Sequence, residues 1–444
     1  MVSPSRRTGG RAGGEATNAA PPPPPRRRLL FVNQYYWPDH ASTAQHLADL
    51  AEHLASEGHE VHVLCGRGGY KPGVERPPRR EAHEGVEIHR VDTTSFGRRT
   101  TLHRMIDYLS FYLRAFWLAL FLPRFDVVTT LTTPPIIGLV GTMLRRLKGS
   151  RHVYWSMDLH PDASIALGRM RPSHPVVAAL ARLSDAVYRG ADRVVVLGPY
   201  MADRIAAKGV ARERLADIPV WSRRDEIYPI ARQGHALRAS LGLADKFVAM
   251  YSGNLGLAHS FAEFLEAARR LRHRDDIVFL FVGEGPRLAG VVSAKAADGL
   301  DNIRLLDYFP RGQLHASLSV ADVHLISMRA EMTGIVVPGK LYGAMASGRP
   351  TLFVGPERCE SADTIREADC GPTVLLGDSQ GVAGAITALA ADPGLRVSMG
   401  RRGREAFLAR HEKGPCCSEW ASMIRDLLAE QADPIPATPA FRLG

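Results

Sequence analysis

The residues best suited to chemistry fall into five short runs, three in the second half of the chain. Tyr251-Ser252-Gly253-Asn254-Leu255-Gly256 stands between an apolar run and a helical pattern. Glycine there lets the backbone approach a phosphate closely, and a helix opening at Ser260 offers unpaired N–H groups and a positive dipole end. No GK[ST] follows, so this is no P-loop, and a tight strand–helix turn reads the same run equally well. Gly283-Glu284-Gly285-Pro286-Arg287 repeats the theme. Pro286 fits the first position of a helix, and Glu284 either accepts from a ligand hydroxyl or caps its own helix. The densest run is Glu331 to Pro350. Lys340 falls in the first turn of a helix expected to begin near Pro338. A cation there opposes the helix dipole, so an anionic partner such as a phosphate explains it; a surface lysine is the alternative. Glu331 precedes that helix and is placed to accept hydrogen bonds from sugar hydroxyls.

The other two runs lie in the first half. Tyr35-Tyr36-Trp37-Pro38-Asp39-His40 follows the first strand and offers rings that can stack on a sugar or a ligand chain. Trp155 to Asp162 brings Asp158, His160 and Asp162 together, which suits orienting hydroxyls or taking a proton. The same loop also reads as an Asx turn before Pro161. No HExxH, CxxC or other metal-ligand spacing is visible, so no metal is assigned.

Two alternating series of strands and helices position these runs. Strands are expected at 29–32, 60–64, 86–91, 127–130, 152–157 and 194–197, and again at 247–252, 278–282, 303–306, 323–326, 351–354 and 373–375. Helices are expected between them, among others at 44–57 with Gly58 as its stop, 105–121, 136–148, 175–189, 199–208, 260–272 and 340–346. The pattern predicts an α/β chain with two Rossmann-like, doubly wound domains facing across a cleft, ligands binding at the carboxyl ends of the strands. The expected layout is a disordered basic, Pro-rich tail at 1–28, an acceptor-side domain at 29–222 and a linker at 223–244. A donor-side domain at 245–410 follows, then a helix at 411–431 returning to the first domain, and a tail at 432–444. Helix 105–121 carries Phe111, Tyr112, Phe116 and Trp117 beside Arg104 and Arg114. It reads either as a membrane-facing amphipathic helix or as part of the core.

The 444 residues, 45% hydrophobic and 23% charged, exclude a disulfide-stapled mini-protein and a disordered chain. Of the net +10, residues 1–28 carry +5 (six Arg against Glu15), and the body carries the other +5. So mildly basic a body does not call for nucleic acid; it suits a phosphate-bearing ligand or an anionic membrane surface. Five cysteines, an odd number without CxxC spacing, point to reduced thiols in a reducing compartment. No secretory signal is seen, and no apolar run approaches the roughly 20 residues of a transmembrane helix.

Taken together, Gly58-His59-Glu60-Val61, Asp158-Leu159-His160-Pro161, Ser252 to Gly256, Gly283 to Pro286, Pro338 to Tyr342 and Met345 to Pro350 resemble the GT-B glycosyltransferases of family 4. The branch is that of capsule and exopolysaccharide assembly, and the likeness spans about 29–428. The resemblance implies a nucleotide-sugar donor in the C-terminal lobe, an acceptor on the N-terminal lobe, retention of anomeric configuration, and no metal or other cofactor. It implies donor contacts from Ser252, Gly253, Asn254, Leu255, Glu284 and Lys340, and reacting groups at Glu331, Asp158 and His160. Tyr36, Trp37, Ser42 and Asp162 line the acceptor side. Three departures stand out. The usual second glutamate is Gly343; Glu331 lies twelve residues before it rather than eight; Ala41-Ser42-Thr43 replaces the usual glycine pair. The expected activity is sugar transfer to a lipid-linked or growing glycan at the inner membrane face. The alternatives are a nucleotide-sugar 2-epimerase and an inactive nucleotide-sugar-binding module.

Overall fold

A computed structural model describes residues 26–68, 77–94 and 101–430, without the side chains of residues 101, 102 and 104. Of the expected tails, residues 1–25 and 432–444 lie outside the described residues, and Arg28 already belongs to the first strand. In the N-terminal lobe the strands are β1 (Arg28–Val32), β2 (Glu60–Gly66), β3 (Arg80–His83), β4 (Val86–Val91), β5 (Val127–Thr130), β6 (Arg151–Trp155), β7 (Arg193–Val196) and β8 (Leu215–Asp217). They form one sheet in the order β3-β4-β2-β1-β5-β6-β7-β8, parallel except for β3 against β4. Its helices are α1 (Ser42–Ser56), α2 (Thr101–Phe121), α3 (Gly138–Lys148), α4 (Asp162–Ala166), α5 (Pro175–Gly190) and α6 (Pro199–Ala207).

A short α7 (Ala236–Ser240) precedes the second lobe. Its six parallel strands are β9 (Phe247–Ser252), β10 (Ile277–Val282), β11 (Ile303–Leu306), β12 (Val323–Ser327), β13 (Thr351–Gly355) and β14 (Thr373–Leu375), ordered β11-β10-β9-β12-β13-β14. Its helices are α8 (Ala262–Arg270), α9 (Leu288–Asp298), α10 (Leu314–Leu318), α11 (Lys340–Ala346), α12 (Glu360–Glu367), α13 (Ser379–Ala391) and α14 (Pro393–Ala406); α15 (Lys413–Ala429) closes the chain.

The central strands form because their apolar runs are continuous: β10, IVFLFV, is buried at every position, as a parallel sheet with helices on both faces requires. Gly58 ends α1 with φ +93° and Gly149 ends α3 with φ +66°, the left-handed cap that glycine adopts without a Cβ clash. The strand order reverses between β1 and β5 in one sheet and between β9 and β12 in the other. The crevice at each reversal, at the strands' carboxyl ends, is where ligands bind in such folds.

The segment after Trp221 is more than a tether. Arg238 is buried and donates to Asp322 at 3.0 Å, anchoring residues around α7 on the C-terminal lobe. The chain also crosses back: Ser222 N–H donates to the His411 carbonyl at 3.1 Å, and Lys413 N–H donates to the Ser222 carbonyl at 3.1 Å. α15 then packs on α1 in the first lobe, with Trp420 against Trp155 at 4.6 Å between ring centroids. All five cysteines are free and buried.

Candidate functional site

The loop after β9 and the loop after β12 meet at the reversal point of the second sheet. Lys340 is the first residue of α11, with Gly339 as its cap; the helix starts two residues later than the proline at 338 suggested. Its half-buried ammonium donates to the Tyr251 hydroxyl and to the Asn254 carbonyl (3.3 Å), and lies 3.3 Å from His259 Nε2. It also stands over the Tyr251 ring, 4.0 Å from the centroid, an attractive cation–π placement. No carboxylate pairs with it among the described residues, and burial pushes its pKa down to about 7. Burial, and then Lys340 itself, lower His259 to about 3, so that ring stays neutral. His259 was not singled out from the sequence. Its only signal is a lone histidine closing the glycine loop before α8.

The glycines of the turns after β9 and β10 have a packing role besides the close ligand approach expected of them. A Cβ on Gly283 would fall 2.5 Å from the Gly253 carbonyl oxygen, and one on Gly285 would fall 2.6 Å from Leu255 O and Asn254 Oδ1. Glycine here lets loop pack on loop. Gly253 N–H is already bound to the Val282 carbonyl at 2.9 Å, so the expected free amide at this position is occupied. Leu255 is likewise corrected. Its side chain is fully buried in the lobe's core, its N–H donates to the Glu284 carbonyl and its carbonyl accepts from Arg287. Ser252 is half-buried, and Asn254 and Glu284 are exposed beside it. α9 begins at Leu288, so Pro286 belongs to the turn rather than to the helix.

Glu331 is exposed and paired with Arg329 at 3.3 Å; its own backbone amide and Arg329 hold its carboxyl below the usual range. It lines a cavity of about 450 Å³ with Arg287, Arg329 and His259 at the start of α8. His259 therefore joins this cavity to Lys340. At Gly343, where the family pattern has a glutamate, a Cβ would face Leu318 and Ile227. Ser222 Oγ lies 4.0 Å from the same point, so a carboxylate on that vector would enter mostly apolar packing beside one hydroxyl.

The same loop touches the first lobe. Leu159 N–H donates to the Ile335 carbonyl at 3.1 Å, and Arg204 donates to the Thr333 carbonyl at 2.6 Å. Asp158 thus sits in a loop that contacts the far side of the cleft, its pKa raised by burial against the opposing effect of His160. The His160 carbonyl accepts from Ser184 at 2.7 Å. Asp162 does not join Asp158: it pairs with Lys208 at 3.1 Å at the start of α4. Tyr36 is also corrected. Its ring is 3% exposed in the lobe's core and cannot stack on a ligand. Trp37 is half-buried and stacks on His83 at 3.8 Å between ring centroids. Ser42 is exposed at the start of α1, 3.4 Å from His46 Nδ1.

Known proteins match along both lobes. Residues 43–221 match the Glycosyl transferase 4-like domain and residues 246–392 match Glycosyl transferases group 1. WcaI of Escherichia coli (strain K12), a glycosyl transferase assigned to colanic acid biosynthesis, is 28% identical over 70% of this chain and 79% of its own length. The glycosyltransferase WbjE of Pseudomonas aeruginosa is 25% identical over 69% of this chain and 76% of its own. The Anabaena HepE structure, in complex with UDP-glucose, superposes with a TM-score of 0.67 at 14% identity, over 90% of this chain and 100% of that one. With a glycosyl transferase domain on each side of the cleft, the chain belongs to the GT-B glycosyltransferases.

Proposed function

We propose that the protein is a retaining enzyme that moves a sugar from a nucleotide-diphosphate sugar to a hydroxyl of a lipid-linked or growing surface glycan. One observation carries this reading: Lys340 holds an ammonium at the switch point of the second sheet with neutral partners only. A diphosphate supplies the missing charge. As the sugar leaves, negative charge grows on the phosphate oxygens, and a preplaced cation stabilises it most at that stage. Glu331 and the adjoining cavity then face the donor's sugar, while Asp158 and Trp37 present the acceptor. The acceptor attacks on the leaving-group face and its proton passes to the departing phosphate. The UDP-glucose bound by HepE supports a uridine or related nucleotide. Incubation with a panel of nucleotide sugars, with and without glycan acceptors, tests the reading. Acceptor-dependent release of nucleoside diphosphate is expected; isomerised donor, or binding without turnover on any acceptor, overturns it.

The membrane placement rests on α2. Phe111, Ala115 and Ala119 bury one side of it in the lobe, while Met105, Leu109, Leu113, Trp117 and Phe121 stand exposed along the other. Arg114 on the same helix and Arg124 just beyond its end are exposed. No helix among the described residues is long and apolar enough to cross a membrane. An apolar strip with exposed arginines on its helix and just beyond suits shallow insertion into an anionic leaflet. Co-flotation with phosphatidylglycerol vesicles is expected, and Trp117→Ser with Phe121→Ser should abolish it. A protein that stays in solution at low salt would remove the membrane from the proposal.

A further inference from the structure

A cluster far from the cleft stands unexplained by sugar transfer. β2 and β4 pair in parallel with His62 opposite Glu87 and Leu64 opposite His89. That register places His62, Glu87 and His89 together on one face of the sheet, within the strands rather than on the loops at their carboxyl ends. His62 Nδ1 lies 3.0 Å from His89 Nε2 and 3.5 Å from Glu87 Oε2, and the three ligand atoms lie within 4.8 Å of one another. A tetrahedral ion holding nitrogens at about 2.0–2.1 Å separates its ligand atoms by roughly 3.3 Å, so the two measured separations bracket that edge.

The surrounding hydrogen bonds set the tautomer. His62 Nε2 lies 3.1 Å from Glu60 Oε1, and Arg28 Nε fixes that carboxylate at 2.8 Å. Nε2 therefore carries the proton, and Nδ1 presents a lone pair. That lone pair faces a carboxylate oxygen and a second imidazole nitrogen. On His89 the other nitrogen, Nδ1, is buried and has no partner among the described residues, so without an ion the ring carries its proton on Nε2 and donates it to His62 Nδ1; an ion held by these two nitrogens would take that proton's place. The Phe125 ring meets His62 edge-on at 5.1 Å and closes one side, while Glu87, 62% exposed, leaves an entry from solvent. A carboxylate behind a ligating histidine, an apolar wall and an open approach are the ordinary surroundings of a bound transition metal.

We propose that His62, Glu87 and His89 bind one divalent ion of the zinc class, with water in the fourth position, clamping β2 to β4. Two imidazoles and a carboxylate suit zinc better than magnesium or calcium, which favour oxygen-only sets. The site is separate from the sugar-transfer reading and stands or falls without it.

The untagged full-length protein, stripped with chelator and dialysed, is titrated with zinc sulfate in a calorimeter and, separately, with cobalt(II) in a spectrophotometer. The expected result is one ion per chain, the intense visible bands of tetrahedral cobalt, and a higher thermal midpoint with zinc. Glu87→Gln, at an exposed position that tolerates the change, should weaken zinc by about tenfold or more. Glu60→Gln should weaken it by about 10- to 100-fold by releasing the His62 ring, and His89→Ala should abolish it. Absence of binding at equimolar zinc, or binding whose affinity is unchanged in both Glu87→Gln and His89→Ala, overturns the site. UDP binding, measured on the same samples, should be the same with and without zinc.

Discussion

The two edges of the cleft are built on opposite plans. On the C-terminal side, two glycine turns interlock through backbone contacts at Gly253, Gly283 and Gly285, and a single ammonium stands among neutral groups. On the N-terminal side the polar and aromatic side chains are largely engaged already: Asp162 with Lys208, Trp37 with His83, and Tyr36 inside the core. Electrostatics is incomplete on one edge and nearly closed on the other. An anion is what the first edge lacks, whereas the second offers mostly shape, with the Asp158 carboxyl held by burial above its usual range. Charge recognition thus belongs to the C-terminal edge and fit to the N-terminal edge.

The sharpest way to break this comparison is steric. Gly283 has φ +128° and no room for a Cβ; Gly58, which ends α1 in the other lobe, has φ +93° and open space around it. Gly283→Ala should cost roughly 3 kcal/mol in denaturant unfolding, from strain plus overpacking, and Gly58→Ala about 1 kcal/mol. Equal losses would mean that the interlocked turns contribute nothing special.

Next in size is the charge itself. Lys340→Ala should weaken UDP binding by about 10- to 100-fold, the range for a hydrogen bond to a charged group. Asp162→Asn, across the cleft, should leave UDP affinity unchanged and cost about 0.5–1 kcal/mol of stability through its pair with Lys208. Calorimetry on the two variants separates the edges, and an unchanged affinity in a folded Lys340→Ala protein would move the anion site elsewhere.

The smallest effect is a pair of opposed pH slopes. Lys340 is depressed to about 7 from an unfolded value of 10.5. Between those values the unfolded chain binds more protons, so this group's penalty on stability is full below about pH 7 and fades as pH rises toward 10.5. On the proposal that the ammonium holds the donor's diphosphate, UDP affinity should fall above about pH 7, by at most about tenfold per unit, with proton uptake on binding. Titrations in buffers of different ionisation heat would show that uptake, and its absence in the native protein would break the link to Lys340.

Much of this layout was readable from local pattern. The continuous apolar runs of β9, β10 and β13 announce buried parallel strands, and Gly58 marks the end of α1 where the structure ends it. β3 was not readable, because REAH is a polar edge strand without an apolar face, recruited only by antiparallel pairing with β4. Lys340 stood out because a cation at a helix start is locally unfavourable. What stayed hidden depends on distant partners: Lys208 lies 46 residues from Asp162 and settles its role, and Gly283 owes its identity to a carbonyl thirty residues earlier. His62 and Glu87 meet only through the register of a crossover, which no spacing rule encodes.

The stitch between Ser222 and residues 411–413 has a consequence for anyone dissecting the molecule. The outbound and returning backbones leave the lobes side by side, tied by reciprocal amide bonds, and the final helix completes the hydrophobic interior of the lobe that the chain's beginning builds. A fragment ending at residue 222 would be missing Trp420 and Ile424 from its interior, and its partner fragment would carry an orphan apolar helix. The amino-terminal half becomes a folding unit only when the last turns of the polypeptide are supplied with it, in trans or through a permuted chain.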